Sequence, residues 1–203
     1  MAISRRKVVA MGVLALPAGG LASAQGATFF VLQRVAASAT VRAAMESVDL
    51  TAWAFQLTSE EYVSCAPREH HGSVQAQLAD GRRVFVSVET IGGLLLSHSY
   101  LAEVAARNHL QAVSPASQVI PRSGAPYPVR VTWELKLEPL TAKSCRLDCA
   151  VLVETADREL AQGSTHPASD APSPLQAHCS VETPLYAADI ERKALQGFYR
   201  SRG

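Results

Sequence analysis

The fold is decided by the stretch Val-Arg-Val-Thr-Trp-Glu-Leu-Lys-Leu at residues 129–137. Its apolar positions are Val129, Val131, Trp133, Leu135 and Leu137, and the residues between them are polar or charged. Successive side chains of a strand point to opposite sides, so this alternation gives one apolar face and one polar face. We therefore predict a half-buried β-strand that ends at Pro139, because proline cannot donate to a hydrogen-bond ladder.

A second alternating run follows after a short polar loop through Lys143. Its apolar side consists of Cys145, Leu147, Cys149, Val151 and Val153, opposed by Arg146, Asp148 and Glu154. Two such runs joined by a short loop predict an antiparallel hairpin with one buried face.

An earlier pair of runs surrounds Asp80-Gly81. Val74, Ala76 and Leu78 precede the turn, and Val84, Val86 and Val88 follow it. A two-residue loop would leave Leu78 opposite Arg83, whereas a three-residue loop would pair 78 with 84, 76 with 86 and 74 with 88. Since a slip of one residue turns every side chain to the other face, we predict the longer loop, with Gly81 or its neighbour in a left-handed conformation.

The segments around these hairpins are less regular. We interpret Val48–Leu57 as a first strand and Thr58–Pro67 as a short helix that begins at Thr-Ser-Glu-Glu. Residues 94–110 are ambiguous, since their first half alternates as a strand and their second half also suits a helix. Residues 156–177 contain Pro167, Pro172 and Pro174 among polar residues, which indicates a loop.

The C-terminal segment predicts a long amphipathic helix, with Thr183 as its cap and Pro184 in its first turn. Its apolar face consists of Tyr186, Ala187, Ile190, Ala194 and Phe198. A helix of this kind can cover the apolar face of an antiparallel sheet.

The first 24 residues have the order of a secretory signal peptide. Arg5, Arg6 and Lys7 precede an apolar run over residues 8–21, and Ala22-Ser23-Ala24 offers a cleavage site between small residues. The sequence Ser-Arg-Arg-Lys at 4–7 also resembles a twin-arginine signal, which in bacteria exports folded proteins. A general-export signal and an uncleaved anchor are the alternatives.

We therefore expect three parts: a signal peptide at 1–24, a helical segment at 25–47 and a single domain at 48–203. The product would be periplasmic or extracellular, with no stable membrane span after cleavage. Its oligomeric state does not follow from the sequence.

Composition excludes several other classes of protein. The chain has 203 residues, 48% of them hydrophobic and 18% charged, with a formal net charge of +1. Disordered and collagen-like chains have different compositions. A nucleic-acid partner is not expected, because binding needs a basic face that displaces counterions.

The order of elements resembles the helix-grip fold of the START-like superfamily (SRPBCC), which includes the polyketide cyclase/dehydrase proteins. The resemblance covers roughly residues 48–200. It rests on residues 129–137 and on Glu-Thr-Pro-Leu-Tyr-Ala-Ala-Asp-Ile-Glu-Arg-Lys-Ala-Leu at 182–195. It implies an α+β fold in which a curved antiparallel sheet grips the C-terminal helix, with an apolar ligand between them.

Packing alone leads toward a similar picture, because a curved sheet beneath a helix leaves space for an apolar pocket. The candidate lining residues are Val86, Trp133, Leu135, Val151, Tyr186 and Phe198. The alternative is that these side chains fill a solid core.

Candidate chemistry is sparse. His98 and Glu89 are the candidate acid or base residues if the pocket holds an enzyme site, since imidazole titrates near neutrality; His98 could equally be a buried structural residue. The pair His70-His71 beside Glu69 does not predict a metal site, because adjacent strand residues face opposite sides and no ligand-spacing motif supports one. We expect neither a metal nor a cofactor, and no convergence of His178 with Cys179 as a nucleophile is indicated.

The chain contains four cysteines: Cys65, Cys145, Cys149 and Cys179. Cys145 and Cys149 share a strand face about 13 Å apart, at about 3.3 Å per residue, so they cannot bond each other. Either could pair with Cys65 or Cys179 in an exported protein, or all four could be buried thiols.

The leading interpretation is an exported domain that binds a hydrophobic small molecule without changing it. The alternatives are a cyclase, dehydratase or isomerase acting in the same pocket, and a solid interaction module without a cavity.

Overall fold

The computed structural model describes residues 28–163 and 171–199. The predicted signal peptide lies outside the described residues. The strands are β1 (Phe30–Val41), β2 (His70–Gln77), β3 (Arg83–Ile91), β4 (Leu94–Ala105), β5 (His109–Ile120), β6 (Tyr127–Thr141) and β7 (Ser144–Thr155). The helices are α1 (Leu50–Ala54), α2 (Ser59–Cys65), α3 (Arg158–Gly163) and α4 (Pro174–Leu195), with a 3-10 turn at Met45–Ser47.

In the described part of the chain, seven strands form one sheet in the order β1-β7-β6-β5-β4-β3-β2, and every neighbouring pair is antiparallel. Helix α4 packs against β1, β7 and β3, and α2 packs against β2. The structure is therefore the predicted α+β arrangement of an antiparallel sheet with a long C-terminal helix.

The hairpin that decided the fold is confirmed. Trp133 pairs with Val151, Leu135 with Cys149 and Leu137 with Leu147, so the apolar positions of β6 and β7 share one face. Strand β6 does not end at Pro139 but continues to Thr141, with an irregular pairing between the two. Proline is tolerated there because its missing donor coincides with the break in the ladder.

The predicted helical segment at 25–47 is wrong where the structure describes it. Residues 30–41 form β1, an edge strand paired along its length with β7. The alternating Ala, Ser and Thr residues at 36–40 suit a pleated surface, and pairing with β7 outweighed the helical spacing of the larger apolar side chains. Because β1 belongs to the sheet, the domain begins well before Val48.

The first strand predicted at Val48–Leu57 is also wrong, since this segment contains α1. The Asp49 side chain caps the helix by accepting a hydrogen bond from the Ala52 N–H at 2.8 Å. The expectation of a short helix at 58–67 is correct for α2. There Thr58 and Glu61 form a reciprocal capping box.

The β2–β3 hairpin has the predicted three-residue loop, and Gly81 has φ +87°. The pairing differs from the prediction by two positions, because Val74 lies opposite Val86 and Ala76 opposite Val84. A shift of two positions keeps these apolar side chains on one face. This face is the outer one, where Val74 is 57% exposed.

For residues 94–110, the strand interpretation is correct and the helix interpretation is wrong, since β4 occupies Leu94–Ala105. The next strand, β5, was not predicted. The pairing of β4 with β5 is interrupted between Ser97 and Leu101. Pro115 lies opposite this break and has no N–H to donate, and the Ser114 hydroxyl instead accepts a hydrogen bond from the Ser99 N–H at 2.9 Å.

Helix α4 begins at Pro174, ten residues before the start at Pro184 that a cap at Thr183 predicted. Ser173 is the cap, its hydroxyl accepting a hydrogen bond from the Gln176 N–H at 3.1 Å, and Pro174 occupies the first turn. Pro184 therefore lies inside the helix. Within residues 28–163 and 171–199, no helix has the length and apolar character needed to cross a bilayer.

Candidate functional site

A cavity of about 440 Å³ lies between the sheet and α4. Six strands and two helices supply its walls. The apolar and aromatic lining residues are Leu32, Tyr62, Phe85, Ile91, Leu94, Leu96, Tyr100, Val119, Tyr127, Val129, Val131, Trp133, Val151, Val153, Pro174, Leu175 and Tyr186. This volume lies within the range of small-molecule sites and excludes the solid-core alternative for the domain as a whole.

One end of the cavity lies at the protein surface. It is formed by Gly92 and Leu94 at the β3–β4 turn and by Pro174 at the start of α4, all of which are exposed. Gly92 has φ +57°, and a Cβ added there would lie 2.8 Å from the Pro174 Cβ. This turn can approach the helix so closely only because residue 92 has no side chain.

A polar patch forms part of the cavity wall. Glu89 and His98 reach it from β3 and β4, and His178 and Glu182 reach it from one face of α4. All four residues are buried. An apolar cavity with a few converging polar groups is the usual composition of a ligand site.

His98 is held at both ring nitrogens. Its Nε2 lies 2.8 Å from Glu89 Oε1, and its Nδ1 lies 2.8 Å from the Ser117 hydroxyl. Because a carboxylate only accepts, Nε2–H donates to Glu89. The break in β4–β5 pairing occurs at this residue, and such bulges commonly re-aim a side chain.

The α4 side of the patch is held in the same way. His178 Nδ1 donates to Glu69 Oε2 at 2.5 Å, and the Tyr186 hydroxyl donates to Glu182 Oε2 at 2.7 Å. His178 Nε2 then lies 3.2 Å from Glu182 Oε2. Residues 178, 182 and 186 are separated by one turn each, which places them on one helix face.

A third histidine lies directly behind this patch. His70 is paired with Glu89 across β2 and β3 and stacks on the Tyr62 ring at a centroid distance of 3.9 Å. Its Nε2 lies 3.4 Å from both Glu89 Oε2 and Glu182 Oε2, without an aligned hydrogen bond to either.

Mutual attraction shifts the pKa values of these groups. Burial by itself lowers the pKa of His70, but contact with Glu182 and Glu89 raises it to about 9. The same carboxylates raise the pKa of His178 to about 11 against the effect of its burial. Burial raises the pKa of Glu89, yet the three neighbouring imidazoles hold it well below its usual range.

The structure places Trp133, Val151, Tyr186, Glu89 and His98 on the cavity wall. The other three predicted lining residues lie elsewhere. Val86 is on the outer face of β3, where the cavity face carries Phe85, Ser87 and Glu89 instead. Leu135 is fully buried in the core, and Phe198 follows α4 and is 44% exposed.

Sequence analysis missed His178, Glu182 and His70 as site residues. The four-residue spacing of His178 and Glu182 was visible, but the helix was predicted to begin after them. His70 was judged only with its neighbour His71, which points away and is exposed. Two histidines and a glutamate that are distant in sequence, His70, Glu89 and His178, place potential metal-ligand atoms within 4.8 Å of one another.

The four cysteines are buried free thiols. Cys149 and Cys179 approach each other most closely, with 4.0 Å between their sulfur atoms. Burial raises the pKa of the Cys65 thiol to about 12, so this group stays protonated near neutral pH.

No protein-family model matches the sequence, and no match is found among curated proteins. Solved structures do match. The TTHA0849 protein from Thermus thermophilus superimposes with TM-score 0.51 at 14% identity, over 81% of this chain and 98% of that chain. A START superfamily protein from Mycobacterium smegmatis gives 0.46 at 17% identity, over 80% of this chain and 97% of that chain.

Zhui aromatase/cyclase from a Streptomyces species gives a TM-score of 0.47 at 13% identity, over 79% of this chain and 94% of that chain. At such low identities, likeness shows the fold and not the activity. The chain has the predicted helix-grip fold, an antiparallel sheet with a long C-terminal helix packed against it.

Proposed function

We propose that this protein binds a hydrophobic small molecule carrying one polar group, with the apolar part between the sheet and α4. The cavity is the observation that supports the proposal. Its wall is mostly aliphatic and aromatic, and burying an apolar surface there removes it from water at about 25 cal/mol per Å².

The polar patch supports a preference for an amphipathic ligand. Glu89 and Glu182 offer carboxylate oxygens within an otherwise apolar wall, and the His98 ring holds Glu89 in position. A hydroxyl or amine on the ligand can donate to these oxygens, whereas a purely aliphatic molecule would leave their hydrogen-bonding capacity unused. We therefore expect an alkyl or aromatic alcohol to bind better than the matched hydrocarbon.

Titration of delipidated protein with a fluorescent alkyl probe tests the proposal. Val131→Phe fills the cavity from β6, so probe affinity should fall at least tenfold. Val86→Phe adds the same atoms on the outer face of β3 and should leave affinity within twofold of the wild type. Equal probe binding by both variants, or no binding by the wild type across several apolar probes, would refute a ligand site in this cavity.

A second candidate function is proton transfer to or from the bound molecule, as in an isomerase, cyclase or dehydratase. The hydrogen bond between Glu89 and His98 on the cavity wall favours it, because both groups can hold or release a proton beside the bound molecule. Exchange of the α-protons of a bound alkyl ketone in deuterated water, followed by NMR, would detect this activity. Glu89→Gln should abolish the exchange, and an absence of exchange by wild-type protein that binds the ketone would remove this candidate.

We also propose that the chain is exported, on the basis of its basic, apolar and small-residue N-terminal order. N-terminal sequencing of protein recovered outside the cytoplasm should begin at Gln25. Exclusive recovery of a cytoplasmic chain beginning at Met1 would contradict export.

A further inference from the structure

Two imidazoles and two carboxylates converge on one buried point behind the cavity wall. The converging atoms are Nε2 of His70 and His178 and Oε2 of Glu89 and Glu182. Each nitrogen lies close to both oxygens: 3.4 and 3.4 Å for His70, and 3.5 and 3.2 Å for His178. The side chains of both histidines are at most 3% exposed, and those of the glutamates at most 11%.

We propose that these four side chains form a binding site for a divalent first-row transition metal ion, with Zn²⁺ as the reference ion. A tetrahedral zinc ion holds nitrogen and oxygen ligands at about 2.0–2.2 Å, so its neighbouring ligand atoms are about 3.3–3.6 Å apart. Four of the six edges of such a tetrahedron, the nitrogen–oxygen separations, match this spacing, and His70, Glu89 and His178 place their ligand atoms within 4.8 Å of one another. Imidazole donors favour such an ion over Mg²⁺ or Ca²⁺, which prefer oxygen ligands.

The ring orientations support metal binding. His70 Nδ1 lies 2.7 Å from the Tyr62 carbonyl oxygen, and His178 Nδ1 lies 2.5 Å from Glu69 Oε2. Both of these oxygens only accept, so each Nδ1 carries a proton; release of the Nε2 proton on metal binding would leave a neutral ring whose Nε2 lone pair is directed to the common point. Metal-binding histidines are oriented by outer partners of this kind.

The unsatisfied nitrogen of His70 is the second, independent observation. Its side chain is 0% exposed, and among the described residues Nε2 has no hydrogen-bond partner. A buried polar atom without a partner costs free energy, and coordination to a cation would satisfy it. Glu89 and Glu182 would balance the charge of a divalent ion within this buried region.

The elements that carry the ligands are rigid. His70 and Glu89 are paired across two strands, and His178 and Glu182 are one turn apart on α4. The ion would therefore tie the helix to the sheet beside the cavity. This inference does not require the ligand proposal, because metal content and probe binding are separate measurements.

Metal titration of the full, untagged chain tests the site. After treatment with a chelator and dialysis, the wild type should bind one Zn²⁺ or Co²⁺ per chain and gain thermal stability. His70→Gln and His178→Gln should each weaken binding at least a hundredfold and abolish the gain. The matched control is His109→Gln, since His109 also contacts a glutamate, at 2.9 Å, but lies on another part of the sheet; it should bind like the wild type.

Two further variants keep the test decisive. If the ligand variants fail to fold, Glu69→Gln changes only the outer partner of His178 and should weaken Zn²⁺ binding about 10–100-fold. Cys149→Ser with Cys179→Ser should retain the ion, since thiolates are not its ligands. The proposal is overturned if the wild type binds neither ion, if His70→Gln binds as tightly as the wild type, or if the double serine variant loses the ion.

Discussion

At Gly92 the β3–β4 turn lies close to Pro174, at the open end of the cavity. We predict that Gly92→Ala lowers the free energy of unfolding by about 2–3 kcal/mol, because alanine is strained at φ +57° and its methyl group would overlap Pro174. Urea denaturation measures the loss.

Gly81→Ala is the matched control. Gly81 also has a positive φ, +87°, but an added Cβ would meet nothing within 4 Å. This variant should cost only about 1 kcal/mol of backbone strain. Equal losses in the two variants would show that contact between residue 92 and the helix does not constrain this end of the cavity.

At the scale of elements, Glu61 connects α2 to α4. Its Oε2 accepts a hydrogen bond from the buried Lys193 ammonium at 2.8 Å, and Oε1 contacts Arg192 at 3.2 Å. Burial by itself raises the pKa of Glu61, but hydrogen bonds from Lys193 and from the Thr58 N–H lower it below its ordinary value of 4.5.

A carboxyl group whose pKa is lower in the folded state stabilises the fold at pH values above its unfolded-state pKa. This contribution is lost as the pH falls through the folded-state pKa. We predict that Glu61→Gln is less stable than the wild type at pH 7 and that the difference shrinks progressively below about pH 4.5. Urea midpoints of both proteins from pH 7 to pH 3 measure it. A difference that stays constant over this range would show that the charge of Glu61 does not couple the helices.

Pro184 is exposed in the interior of α4 and cannot donate the backbone hydrogen bond of its position. We predict that Pro184→Ala raises the free energy of unfolding by about 1–2 kcal/mol, the gain in helix propensity being partly offset by a more flexible unfolded chain. Thermal and urea unfolding measure the change.

Pro172→Ala serves as the control, because Pro172 is exposed and precedes the helix. It should change stability by less than about 0.5 kcal/mol. A destabilised Pro184→Ala variant would indicate that this proline shapes the segment that carries Glu182 and Tyr186.

The alternation in β6 and β7 was sufficient to predict their pairing, because both strands have one buried and one solvated face. Strand β1 could not be predicted in this way, since its stability comes from pairing with β7 at the far end of the chain. Likewise, residues 50–54 are too few to form a stable helix alone, and burial of Leu50 and Trp53 in the core adds to the side-chain cap at Asp49.

The site was partly predictable for the same physical reason. The positions of Trp133, Val151 and Tyr186 on the cavity wall could be predicted from the periodicity of their strands and helix. The polar patch could not, because it depends on which side of β3 faces α4. Apolar spacing on β3 favoured the valines at 84–88, but the residues that face the helix are Phe85, Ser87 and Glu89. A sheet face that carries a buried polar patch is not distinguished from a solvated face by alternation alone.

In the whole molecule, the proposed function requires the space between the sheet and α4 to be a ligand site. Methyl NMR of valine-labelled protein locates a bound probe directly, because valines lie on both faces of the sheet. The cavity face has Val131 and Val153, and the outer face has Val74 and Val86. Adding an alkyl alcohol should shift the Val131 and Val153 signals in a saturable way and leave Val74 and Val86 unmoved; shifts confined to the outer valines, or none up to the solubility of the alcohol, would contradict the account.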